Sequence, residues 1–185
     1  FALVDADEVI IAHTNEAEYK NFVSNRKNEA LISRMKVIKV PYNLQIEAEE
    51  KIYEKAISST NQKVEVVPLA YKAVAIFSIL TRLQESITYS LGLLEKLRIY
   101  NGHAIDGVTA KDLQREYVHE GMEGIDPRFI INSLSSGMIR NDGVVDGLDT
   151  LRLIEERIPH IPGITPKQME HFTECLKLAK REYYN

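Results

Sequence analysis

Asp7-Glu8-Val9-Ile10-Ile11-Ala12-His13-Thr14 is a short, unbroken apolar run bounded by polar residues. A strand with one wet face alternates apolar and polar side chains, whereas a continuous run suits a strand covered on both faces of a parallel sheet. A second such run, Lys36 to Val40, stops at Pro41. Between them lies a charged and polar segment, Glu16 to Arg34, whose length suits helices that cross from one parallel strand to the next. The pattern predicts one α/β unit that belongs to a larger sheet.

Beyond Pro41 the apolar residues fall into helical spacing. Ala48, Ile52, Ala56 and Ile57 mark one face over Leu44 to Ser58, and Leu69, Ala73, Ile76, Phe77 and Leu80 mark another over Pro68 to Arg82. Ser59 to Val67 reads as a connection with a short extended piece at Val64 to Val67. Shorter helices are predicted at Tyr89 to Leu97 and at Ala110 to His119, the second with Thr109 as its N-cap. Asp126-Pro127 sets a capping residue before a proline at the first helical position, and Ile130, Ile131, Leu134 and Met138 give that helix an apolar face. Leu148 to Arg157 reads as a further helix, and Thr165-Pro166-Lys167-Gln168 is a capping box opening a last one, striped by Met169, Phe172, Leu176, Ala179 and Tyr183. The expected fold class is therefore an α/β remnant of a parallel sheet followed by a mostly α-helical region.

Composition narrows the function. With 185 residues and 44% hydrophobic side chains, the chain is able to bury a core and form one or two domains. Its 23 basic and 27 acidic residues leave a formal net charge of -4, which gives no field to attract nucleic acid. No apolar run approaches the ~20 residues needed to cross a bilayer, and no charged-then-apolar signal segment opens the chain, so no membrane partner is expected and the location is read as cytoplasmic. Cys175, the single cysteine, has no internal disulfide partner and is expected to be a buried, inert thiol of a reducing compartment. Phe1 opens an apolar stretch without an initiator Met, and the natural protein is expected to continue upstream.

Three residues stand where nucleotide chemistry would use them. Asn15 follows the first expected strand, and ligands of open α/β sheets sit beyond the carboxyl ends of strands. Its amide could hold a water or a phosphate oxygen there; with Glu18 three residues on, it also reads as a helix cap. Arg34 closes the segment before the second run, and its permanently charged, forked guanidinium suits a transferring phosphoryl group as well as it suits solvent. Arg128 lies in the first turn of a predicted helix, where the dipole already favours an anion and a lone cation is slightly misplaced. His13 falls in the first expected strand, while His103, His119, His160 and His171 lack ligand spacing, so no metal site is expected. Ser33, Ser133, Ser135 and Ser136 lack the Gly-x-Ser-x-Gly elbow of a hydrolase.

The run Val9 to Glu16, the segment Asn28-Glu29-Ala30 leading to Arg34, and Val37-Ile38-Lys39-Val40-Pro41-Tyr42 together resemble the PrkA-type serine protein kinases of bacteria. Ser78 to Leu83, Leu97 to Gly102, and Glu120 to Gly124 leading to Arg128-Phe129 extend the resemblance over about two thirds of the chain. The resemblance implies an AAA+ ATPase module, with residues 1–43 as the C-terminal part of its α/β core, 44–140 as a helical lid, and 141–185 leading to a kinase-like region downstream. It also implies roles: Asn15 as the first sensor, Arg34 as an arginine finger reaching the neighbouring subunit of a homo-oligomeric ring, and Arg128 as the second sensor, acting in its own subunit.

What is missing matters equally. A P-loop requires Gly-x-x-x-x-Gly-Lys-[Ser/Thr], and no Gly-Lys pair occurs in this sequence. No acidic Walker B strand for magnesium occurs either. ATP and Mg are thus expected in the parent protein, not tightly bound by this stretch, which is expected to be inactive alone. The parent is read as a serine/threonine kinase acting on protein substrates; an AAA+ motor for remodelling or proteolysis, or a non-enzymatic helical interaction module, are the alternatives.

Overall fold

The computed structural model describes residues 7–60 and 63–184. Two compact units divide the chain, Phe1–Lys39 and Val40–Asn185.

In the first unit, helix α1 (Glu16–Ser24) begins at Asn15, whose Oδ1 accepts the backbone N–H of Glu18 at 2.8 Å. Glu16 and Glu18 in the opening turn suit the positive end of the helix dipole. Asn25 stops α1 and caps a single 3₁₀ turn, Arg26–Asn28, which leads into α2 (Glu29–Ile32). Asn28 Nδ2 closes the corner by donating to the carbonyl oxygen of Phe22 at 2.9 Å.

The two expected strands do not form. Neither Asp7 to Thr14 nor Lys36 to Val40 has a pairing partner among the described residues, and Val9, Ile10 and Ile11 are 90%, 85% and 91% exposed. His13, expected within a buried strand, is likewise exposed. The physical reason is that a strand is a property of a pair: its N–H and C=O groups need a neighbouring ladder, and an apolar run alone supplies none. The parallel sheet that does form lies in the second unit, where β1 (Glu65–Val66) pairs with β2 (Val144–Val145), Glu65 opposite Val144.

The second unit is built around one helix. Between α3 (Ile46–Ser58) and α5 (Leu93–Tyr100) runs α4 (Ala70–Leu80), whose residues from Ala73 to Leu80 are all buried. A helix that is apolar all round must be wrapped. Here α3, α8 (Gly147–Arg157) and α9 (Pro166–Tyr183) cover it, with α5 and α7 (Pro127–Arg140) closing the remaining sides. The short α6 (Ala110–Glu116) packs on α5.

Local chemistry sets the helix starts. Asp126 Oδ1 accepts the N–H of Arg128 at 2.7 Å ahead of Pro127, and in the Thr165 capping box Gln168 Oε1 accepts the Thr165 N–H at 3.0 Å while Thr165 Oγ1 accepts the Gln168 N–H at 3.2 Å. Before α6 the Asp112 carboxylate accepts both the Thr109 N–H at 3.0 Å and the Thr109 hydroxyl at 2.5 Å. Elsewhere turns displaced the expected starts. Pro68-Leu69 makes a turn with Leu69 at a φ of 64°, so α4 begins at Ala70. The Ser86–Leu91 bridge takes the residues expected to open α5, which begins at Leu93.

The crossing of α8 on α4 rests on Gly147. A Cβ at that position would stand 3.0 Å from both Ala70 Cα and Ala73 Cβ, and 3.1 Å from the Ala70 carbonyl oxygen. Gly147→Ala should force α8 away from α4 and lower stability by about 1–3 kcal/mol. Urea denaturation followed by circular dichroism measures it, and an unchanged midpoint would refute this crossing.

Candidate functional site

Asn15 and Arg34 belong to the first unit and Arg128 to the second. Asn15 is exposed, and the capping bond occupies Oδ1 of its side chain. Arg34 follows α2 in a turn closed by its own N–H, which donates to the Leu31 carbonyl oxygen at 3.0 Å. Its side chain is exposed and forms no ion pair among the described residues.

Arg128 is the second residue of α7, exposed and also without an ion pair among the described residues. The Asp126 carboxylate that caps its backbone also accepts the Tyr42 hydroxyl at 3.5 Å. Burial raises the Tyr42 pKa above the ordinary phenol value, and Asp126 adds to the rise, while the Arg82 and Arg128 charges oppose it. Arg34 and Arg128 are thus each exposed, in separate units, and only the turn of Arg128 carries a side-chain cap.

The second unit also holds two buried charge clusters to which sequence reasoning gave no role. Arg82, just past the end of α4, is buried with its Nη2 donating to Glu49 Oε1 at 2.6 Å and to Ser78 Oγ at 2.7 Å, and its Nη1 donating to the Asn43 carbonyl oxygen at 2.7 Å. Glu49 Oε1 accepts further from the Tyr53 hydroxyl at 2.6 Å, and burial together with the Glu49 charge pushes the Tyr53 pKa up. Glu49 Oε2 and Arg82 Nε are enclosed without a partner.

In the second cluster, buried Lys96 donates to Glu120 Oε1 and, at 2.7 Å, to the Gln84 carbonyl oxygen. Tyr100 donates to Glu120 Oε2, the Gln84 N–H donates to Oε1 at 3.1 Å, and the Lys96 ammonium lies 4.7 Å from the centre of the Tyr117 ring. Spacing offered a signal for these clusters: Glu49 and Tyr53 on α3, and Lys96 and Tyr100 on α5, are four residues apart on one helix face, and Ser78 stands four before Arg82, which follows the end of α4.

Residues 1–90 match the family model of the PrkA AAA domain, and residues 94–185 match that of the PrkA serine protein kinase C-terminal domain. The chain belongs to the PrkA family. It is 45% identical over 188 residues to the ATP-dependent protease PrkA of Bacillus subtilis strain 168, covering 99% of this chain and 30% of that protein. It is 38% identical over 134 residues to the serine/threonine kinase YeaG of Escherichia coli K12, covering 69% of this chain and 20% of that protein. The chain thus spans less than a third of the curated relatives it matches. No solved structure matches it.

Asn15 and Arg34 fall in the stretch that matches the PrkA AAA domain, whereas Arg128 falls in the stretch that matches the PrkA C-terminal domain. The junction between the two matches lies inside the second compact unit, so α3 and α4 share one core with α5 to α9. Among the described residues, no group of three or more His, Cys, Asp or Glu side chains is placed to hold a metal, and no helix is long and apolar enough to cross a membrane.

Cys175 is buried on the face of α9 that meets α4, its Sγ 3.7 Å from His171 Nε2. Burial pushes its thiol pKa up to about 12, with the Glu174 charge adding to the rise. The neutral thiol is therefore favoured in the folded state. Its contribution to stability is present below the unfolded thiol value, near 9, and is lost as pH rises towards 12. Thiol-disulfide reagents at pH 8 should leave the native PrkA chain unmodified and label it only on unfolding, and Cys175→Ala should remove part of the alkaline destabilisation. Fast labelling of the native chain would contradict this enclosure.

Proposed function

We propose that this chain is the nucleotide-reading segment of an ATP-dependent, PrkA-type serine/threonine protein kinase. The observation that carries this reading is a pair of exposed guanidiniums, Arg34 and Arg128, with no ion pair among the described residues in a chain that matches PrkA domains along its length. Such groups suit an anion delivered to them from elsewhere. Bound ATP with Mg would supply the phosphoryl group, held by a cradle that this sequence does not contain.

Each residue then has a stated task. Capping engages Oδ1 of Asn15 and leaves Nδ2 to donate to a γ-phosphate oxygen or to the attacking water. Arg34 reaches the nucleotide of a neighbouring subunit in a homo-oligomeric ring and counters the charge that develops during transfer. Arg128 responds to nucleotide in its own subunit, through a turn whose backbone Asp126 has already ordered. The exposed Val9 to Ala12 and Val37 to Val40 runs would complete the AAA core sheet with strands from the rest of the parent. Protein substrates, the cytoplasm as location, and the absence of nucleic-acid and membrane partners complete the reading.

A second reading is ATP-driven proteolysis, favoured by the name of the Bacillus subtilis relative. Full-length protein incubated with γ-labelled ATP and an unfolded protein separates the two. Label on serine or threonine of the protein supports the kinase, and release of peptides without label supports the protease.

Arg34→Ala in the full-length protein should preserve ATP binding and lower turnover by about 10³ to 10⁵, since a finger acts mainly in the transition state. Subunits with Arg34→Ala should regain activity when mixed with subunits that lack the P-loop lysine but keep Arg34. Without that rescue, the action of Arg34 across subunits is wrong.

A further inference from the structure

The buried Arg82 cluster extends to the turn that carries Arg128. Besides Glu49, Ser78 and Asn43, Arg82 reaches the Ile125 carbonyl oxygen, 3.3 Å from its Nη2, immediately before the Asp126 cap. Its guanidinium carbon lies 4.8 Å from the centre of the Tyr42 ring, and the Tyr42 hydroxyl meets Asp126. The surrounding backbone is stitched to the same places. Tyr42 N–H donates to the Gly121 carbonyl oxygen at 2.8 Å, Gly121 N–H to that of Arg82 at 3.2 Å, and Ile125 N–H to Thr81 Oγ1 at 3.0 Å.

The connecting segment has no slack. At Gly124, with a φ of +127°, a Cβ would stand 2.6 Å from Arg82 Cγ and 3.0 Å from the Thr81 carbonyl oxygen, so only glycine lets the chain pass over Arg82. At its start the Glu120 carboxylate is held by Lys96, Tyr100 and the Gln84 N–H. A guanidinium presents its donors as a rigid planar fork, so one side chain pairs with Glu49 and reaches carbonyls of two separate segments in different directions; an ammonium gathers its three donors at a single point.

We propose that Arg82 is a positioning residue for Arg128. It sets the first turn of α7 against Tyr42 and Asn43, so that the nucleotide response of Arg128 and the placement of that segment change together. The proposal rests on reading Arg128 as a nucleotide-responsive residue. It assigns the coupling to a side chain of the stretch that matches the AAA domain, acting on a turn of the stretch that matches the C-terminal domain.

The test is amide hydrogen exchange on the full-length protein with and without Mg-ATP, for Arg82→Lys, Arg128→Ala, their double variant, and Phe77→Leu as a control for general core damage. Arg82→Lys is expected to speed exchange about tenfold over residues 42–43 and 121–128 while α8 and α9 change less than about twofold. It should abolish ATP-dependent protection of the α7 first turn to the same degree as Arg128→Ala, with the double variant no worse than either. Faster exchange spread evenly over α4, α8 and α9, as in Phe77→Leu, would overturn the proposal. So would normal ATP-dependent protection in Arg82→Lys where Arg128→Ala has lost it. Full protection in Arg128→Ala instead removes the nucleotide reading of Arg128, and the coupling falls with it. Should Arg82→Lys fail to fold, Gly124→Ala presses a methyl group on Arg82 and Thr81 from the other side, and the same outcomes decide.

Discussion

A guanidinium does not shed its proton to escape burial, so enclosing Arg82 obliges the surrounding chain to answer its charge. Much of the second unit follows from that constraint. Glu49 must face inward from α3, which fixes the rotation of α3 on α4, and Tyr53 one turn later must share the same carboxylate. Carbonyls from Asn43 and Ile125 take up donors that Glu49 does not. One side chain thereby ties the segment entering α3, the end of α4 and the approach to α7. A hydrophobic side chain of similar size could fill the same space, yet it would fix none of these segments in register.

Much of the helical region was legible in the sequence, because its starts depend on local chemistry. Thr109, Asp126 and Thr165 are each followed by the partners that a cap requires, and each cap formed. Displaced starts at α4 and α5 have local causes too, a left-handed Leu69 and the Ser86–Leu91 bridge, but apolar periodicity does not register them. The first expected strands are unpaired among the described residues for a different reason. Apolar character in Val9 to Ala12 is real, but pairing is decided by residues elsewhere in space.

Of the candidate site, sequence reasoning named exposed residues and overlooked the buried charged ones of the second unit. Asn15 was open to both capping and sensing, and the capping bond is present. Arg82, Glu49, Lys96 and Glu120 interrupt apolar patterns, and a reading that follows hydrophobic periodicity treats interruptions as exposed positions. For Glu49, Arg82 and Lys96 a polar partner four residues away, Tyr53, Ser78 and Tyr100, carried the missing information, because buried polar pairs must find partners; Glu120, in a loop, gave no such signal.

The junction between the two matched domains falls in the middle of a shared core, and that has a consequence for how the family can change. Domains joined by a linker can be swapped, duplicated or lost singly. Here α4 on one side of the junction is sheathed by α8 and α9 from the other. A lineage that discarded the second half would leave α4 covered only by α3, and one that discarded the first would leave α8 and α9 without the apolar helix they enclose. In this chain the two matched stretches complete one core and are not separable at their junction.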